Sequence, residues 1–111
     1  MFRIIVPAIC CMLVTVSAVH AGEKIRVNNT SGSDVCEFYI SAHEENDWGD
    51  DLFEILDRCI HHGEYAEVIW PEQGNPNLLY DVRYVFRNGE EEVYENNRIF
   101  AGGVTVFNFS R

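Results

Sequence analysis

Lysine and arginine are scarce in this chain. Eight stand against eighteen aspartates and glutamates in 111 residues. Nucleic acid is excluded as a natural partner, because phosphate binding needs a basic face. An anionic membrane surface is disfavoured for the same reason. Long hydrophobic runs are equally scarce. The only one, Ile4 to Val16, is too short for a comfortable span of about 20 residues. Catalytic signatures are missing too: there is no G-x-S-x-G, no H-E-x-x-H and no C-x-x-C. Carboxylates abound, but a domain of this size offers little cleft for a sugar chain. No catalytic residue is assigned, and a non-enzymatic role is expected. A small envelope-acting hydrolase is the weakest alternative.

What is present begins with an export signal. Met1-Phe2-Arg3 is a short basic start, and the apolar run follows it. Val19-His20-Ala21 then offers small residues where a signal peptidase reads. Residues 1–21 are therefore expected to leave, with cleavage before Gly22. The mature chain, residues 22–111, is expected to lie in the periplasm or outside the cell, without membrane insertion. Arg3 leaves with the signal, so the mature charge is 7 − 18 = −11.

Cysteine usage agrees with export. Cys10 and Cys11 lie in the signal, so Cys36 and Cys59 remain. Two cysteines in an oxidising compartment allow one bridge. Closing that loop would contribute roughly 3 kcal/mol by restricting the unfolded chain. The mature 111 − 21 = 90 residues make one small domain. Such a chain buries only about 60–65% of its unfolded surface, so a bridge is a sensible supplement.

The mature sequence reads as all-β, a small antiparallel β-sandwich of six or seven strands with one short helical turn. Ile25 and Val27 alternate with Lys24 and Arg26, then stop at the turn cluster Asn28 to Gly32. Cys36, Phe38 and Ile40 alternate with Glu37, Tyr39 and Ser41. Ala66, Val68 and Trp70 alternate up to Pro71. Tyr80, Val82, Tyr84 and Phe86 form the clearest strand, followed at once by Asn88-Gly89. That dipeptide predicts a type I′ hairpin, with a returning strand over Glu91 to Glu95. Thr105, Phe107 and Phe109 close the series. Leu52, Ile55, Leu56 and Cys59 fall at helical spacing, with Asp50 or Asp51 as a cap and Gly63 as a stop. The alternative is a short helical turn near Asp51 to Leu56 and a short strand around Arg58 to Ile60. The second reading is favoured.

Several blocks together resemble a group of small, mostly uncharacterised exported bacterial proteins. They are Asn28-Asn29-Thr30, Phe38-Tyr39-Ile40-Ser41, Trp48-Gly49-Asp50-Asp51-Leu52, Gly63-Glu64 and Tyr80 to Phe86 ahead of an Asn-Gly turn. The resemblance implies a compact β-sandwich behind a signal peptide and carries no activity. It also implies a bacterial source, in which the sequons at Asn28, Asn29 and Asn108 would stay unmodified.

Two acidic segments are the candidate sites. Asp47, Asp50 and Asp51 crowd the loop around Trp48-Gly49, and calcium takes several carboxylates on a tight loop. The spacing does not fit an EF-hand, and a solvated acidic turn is the plainer reading. Trp48 is either a lid over the core or the anchor of a contact surface. Glu90, Glu91 and Glu92 beyond the hairpin form the second segment. His61-His62 reads as a solvated turn, since adjacent residues on a strand point apart. The expected function is capture of a basic protein, such as a hydrolase or a delivered toxin, through Trp48, Asp50, Asp51 and Glu90 to Glu92. A calcium-stabilised structural protein of the envelope is the runner-up.

Overall fold

Alternating apolar residues become strands because every second side chain can enter one core. A computed structural model describes residues 22–110. The expected export signal over residues 1–21, with Cys10 and Cys11, lies outside them. Among the described residues six strands form: β1 Glu23–Asn29, β2 Val35–Ala42, β3 Tyr65–Trp70, β4 Tyr80–Phe86, β5 Glu91–Asn97 and β6 Val104–Phe109. They build two three-stranded sheets, ordered β3-β1-β6 and β2-β4-β5. The only helical element among the described residues is a 3₁₀ turn, Glu54–Leu56.

The inner faces carry the residues that periodicity selects. Ile25, Val27, Val68, Trp70, Phe107 and Phe109 come from the first sheet. Phe38, Ile40, Tyr80, Val82, Tyr84 and Phe86 come from the second. Phe38 is central: its ring centroid lies 5.4 Å from those of Phe53 and Phe109 and 6.0 Å from that of Phe107.

Four details depart from the sequence reading. The sandwich is not antiparallel throughout, since β1 and β6 pair in parallel. Alternation reports which face a residue takes and says nothing about strand direction. The β4–β5 turn is not type I′, which needs positive φ at both central residues. Here Gly89 alone is left-handed, at φ 90°. Gly89 N–H donates to Phe86 O and Phe86 N–H to Glu90 O, giving a three-residue loop. The returning strand also runs to Asn97 rather than Glu95. Finally, β2 is irregular between Val35 and Glu37. The irregularity lets Val35 and Phe38 both face the core and leaves Cys36 half-buried at the edge.

That edge is covered by the segment joining β2 to β3. Asp51 Oδ1 accepts from Phe38 N–H and from Phe53 N–H, both at 2.9 Å. Leu52 N–H donates to Phe38 O, and Val35 and Ile60 exchange both backbone bonds. Cys36 and Cys59 are disulfide-bonded beside them. Of the favoured reading the short helical turn is observed, at Glu54–Leu56 with Phe53 at its N-cap and no side-chain cap, while the expected strand around Arg58 to Ile60 reduces to a single bridge between Ile60 and Val35. An otherwise open strand edge is closed by hydrogen bonds and a covalent tie.

Candidate functional site: an acidic cleft at one end of the sandwich

β1 begins and β3 ends at the same end of the sandwich, where β2 ends and β4 begins. Two loops meet there, residues 43–53 and 71–79. Between them lies a cleft of about 340 Å³. Trp70 and Tyr80 form its apolar floor, with ring centroids 5.1 Å apart in an edge-to-face contact. Its rim carries Glu45, Asp47, Asp50 and Glu72, and among the described residues no lysine, arginine or histidine lines it. A buried carboxylate fixes the loops from below. Glu23 Oε2 accepts from Gly74 N–H at 2.7 Å, and Oε1 accepts from Gly102 N–H at 2.9 Å. Gly74 suits that role, because a Cβ there would meet Glu23 Oε2 and Ile99 within 3.3 Å.

The predicted loop residues divide into structural and free groups. Asp51 ties the edge segment to β2 through Phe38 N–H and Phe53 N–H. Asp47 Oδ1 accepts from Gly49 N–H at 3.2 Å, while Asp47 N–H donates to Ser41 Oγ at 2.8 Å. Asp50, Glu45 and Glu72 make no hydrogen bond or ion pair through their side chains among the described residues. Asp47, Asp50 and Asp51 are not brought together as three convergent ligands. The group of three that does converge among the described residues is His43, Asp81 and Glu95.

Trp48 is half-buried and outside the core cluster. It lines the cleft and also faces the outer side of the second sheet. The Arg83 guanidinium carbon lies 5.9 Å from the Trp48 ring centroid and 4.8 Å from that of Tyr39. Arg83 Nε donates to Glu91 at 2.9 Å, and that bond raises the arginine's proton affinity further. Tyr39 donates its hydroxyl to Glu37, which pushes the phenol up to about 12. Arg83 therefore joins the Trp48 loop to Glu91. The other two glutamates of the second acidic segment, Glu90 and Glu92, also have partners. Sequence reasoning missed Arg83: alternation in β4 gives its outward face, but its place opposite Tyr39 is set by the β2–β4 register.

His43 continues the β2–β4 ladder, with its N–H donating to Leu79 O. Its Nδ1 lies 2.9 Å from both oxygens of Asp81, and that hydrogen bond raises the His43 pKa. Sequence reasoning missed this pair because strand register, set by tertiary pairing, brings the two residues together. Ser41 Oγ is engaged by Asp47 N–H and by Ala42 O, so it has no base beside it. The cleft thus combines aromatic side chains, Trp48, Trp70 and Tyr80, with the carboxylates of Glu45, Asp47, Asp50 and Glu72.

The disulfide is compatible with an extracellular or periplasmic location. No helix among the described residues is long and apolar enough to cross a membrane. No protein-family model, no curated protein and no solved structure matches this chain.

Proposed function

We propose that the chain is a non-catalytic exported protein that captures a basic protein, with the cleft receiving a lysine or arginine side chain. One observation supports the reading: Glu45, Asp50 and Glu72 line the same cleft as Trp48, and none of the three makes a hydrogen bond or ion pair through its side chain among the described residues. Like charges held together raise the energy of the free protein, and an incoming cation relieves it. The aliphatic part of that side chain would lie on Trp48, Trp70 and Tyr80, and its head would meet the carboxylates. The overall charge of −10 steers a basic partner toward this surface before contact. A basic hydrolase such as a lysozyme, or a delivered toxin, has the required chemistry.

The test is capture from envelope extract and by immobilised basic proteins, at low and moderate salt. Asp50→Lys with Glu72→Lys should slow association about tenfold, since charge reversal acts mainly on encounter. Glu91→Lys should do less, because Arg83 already neutralises Glu91. No retained partner at low salt, with or without calcium, would remove the reading. A calcium-dependent rise in melting temperature abolished by Asp50→Asn would favour the calcium-stabilised alternative instead.

A further inference from the structure

Three neighbouring strands of one sheet each bring a metal-ligating side chain to the same point. His43 directly follows β2, Asp81 lies in β4 and Glu95 lies in β5. One ligand atom from each lies within 4.8 Å of the other two. The register makes this convergence. Ser41 stands opposite Asp81 across β2–β4, so His43 comes beside the Asp81 carboxylate at the strand's end. The β4–β5 register shifts between Tyr80 and Val82, opposite Asn97 and Tyr94. In that irregularity Asn96 is left-handed, at φ 64°, and its N–H donates to Asp81 Oδ1 at 3.1 Å. The extra residue in β5 re-aims Glu95 toward Asp81. Bulges recur beside functional sites for this reason.

We propose that His43, Asp81 and Glu95 form a binding site for a divalent transition metal, zinc foremost. The donor set is one imidazole nitrogen and two carboxylates, which suits a borderline cation better than calcium, whose ligands are oxygens. Tetrahedral ligands about 2.0–2.2 Å from zinc stand roughly 3.4 Å apart. His43 Nδ1 lies 2.9 Å from Asp81 and the three groups lie within 4.8 Å of one another, so rotation of the two exposed side chains, His43 and Glu95, would be needed to reach that spacing. Asp81 is the fixed member: it is 8% exposed and its Oδ1 is held by a backbone amide. On binding, the proton on His43 Nδ1 leaves to solvent and the metal takes its place between imidazole and carboxylate. Three protein ligands leave a fourth position for water or for a group from a partner. The site is separate from the cleft's carboxylates and does not depend on their function.

The other two histidines among the described residues, His61 and His62, provide the control. His61 Nδ1 lies 2.8 Å from Asp34, and His62 Nδ1 accepts from Gly32 N–H. The experiment is calorimetric titration of the oxidised, chelator-treated protein with zinc chloride, and cobalt chloride absorption to report the coordination geometry. One zinc per chain is expected. His43→Ala should weaken binding at least about 30-fold and Glu95→Gln about tenfold, since even outer partners of a metal site are worth 10–100-fold. Both positions are exposed, so neither variant threatens the fold. His61→Ala with His62→Ala, and Asp50→Asn, should leave the affinity unchanged. No binding at about 1 mM zinc, affinity unchanged by His43→Ala or Glu95→Gln, or binding lost with His61 and His62, would each overturn the site.

Discussion

The two ends of this sandwich are built on opposite principles. At the end formed by residues 30–34, 61–64 and 87–90, polar groups are matched to partners. Asn29 is fully buried, yet its Nδ2 donates to Ser33 O and Ile60 O, and its Oδ1 accepts from Ser31 N–H and Oγ. Asp34 accepts from Arg87 and lies against His61. At the cleft end, Glu45, Asp50 and Glu72 have no such partners. A satisfied polar network fixes one conformation. Unpaired like charges add no such constraint and repel one another. The difference teaches which end of so small a domain holds its polar groups in one arrangement.

The largest effect should come from breaking the matched end. Asn29→Ala removes four hydrogen bonds, although Ile60 O keeps the Val35 N–H and Ser33 O keeps the Ser31 hydroxyl. At about 1 kcal/mol net for each lost bond, a loss of about 4 kcal/mol is expected. Urea unfolding measures it through the midpoint at unchanged slope. A loss no larger than that of Asp50→Ala at the cleft end would erase the contrast between the ends.

The next effect concerns the link between the ends. The segment after β2 starts at the cleft, returns along the β2 edge and reaches β3 at the matched end. Cys36–Cys59 closes it across 23 residues. Replacing both cysteines by alanine should cost roughly 3 kcal/mol, the loop-closure value for that length. Hydrogen exchange should then accelerate most at Phe38 and Phe53 amides, which depend on Asp51. Exchange confined to the cleft loops would show that the bridge serves the wrong end.

Much of this arrangement is legible in the sequence, for a physical reason. Strand faces follow a local period, so Tyr80 to Phe86 identifies itself, and the Cys36–Cys59 bridge is the single pairing two cysteines allow. The turn at 54–56 is legible because Asp51 precedes an apolar group at short spacing. The rest depends on pairing between distant residues. Glu23 looks like one more surface charge, but its partners Gly74 and Gly102 lie 51 and 79 residues away. Asn29 reads as a turn former and proves to be the hub of that end. The Arg83 link and the His43–Asp81 pair follow from register, which no single strand's pattern encodes. Of the two acidic segments, only contacts show that Glu91 is compensated while Asp50 is not.

The smallest effect sharpens the comparison through pH. Asp34 is held below the ordinary aspartate value of 3.8, first by its hydrogen bond with His61 and then by Arg87. Glu64 is held below 4.5, first by the His61 backbone N–H and also by Arg58. A carboxyl whose pKa is lower folded than unfolded contributes stability above its unfolded value. That contribution fades as pH falls from there through the folded value, because the unfolded chain binds more protons. The matched end should therefore weaken below about pH 4. Asp34→Asn with Glu64→Gln should lower the urea midpoint at pH 7 and flatten its decline between pH 5 and pH 3. Both groups are solvent-accessible, so the shift should be modest and should shrink in high salt. Asp50→Asn with Glu72→Gln, at the cleft, should instead hold or raise the midpoint at pH 7, because it removes mutual repulsion. Equal losses from both double variants at pH 7 would mean that the cleft carboxylates support the fold, and the division of labour between the two ends would fall.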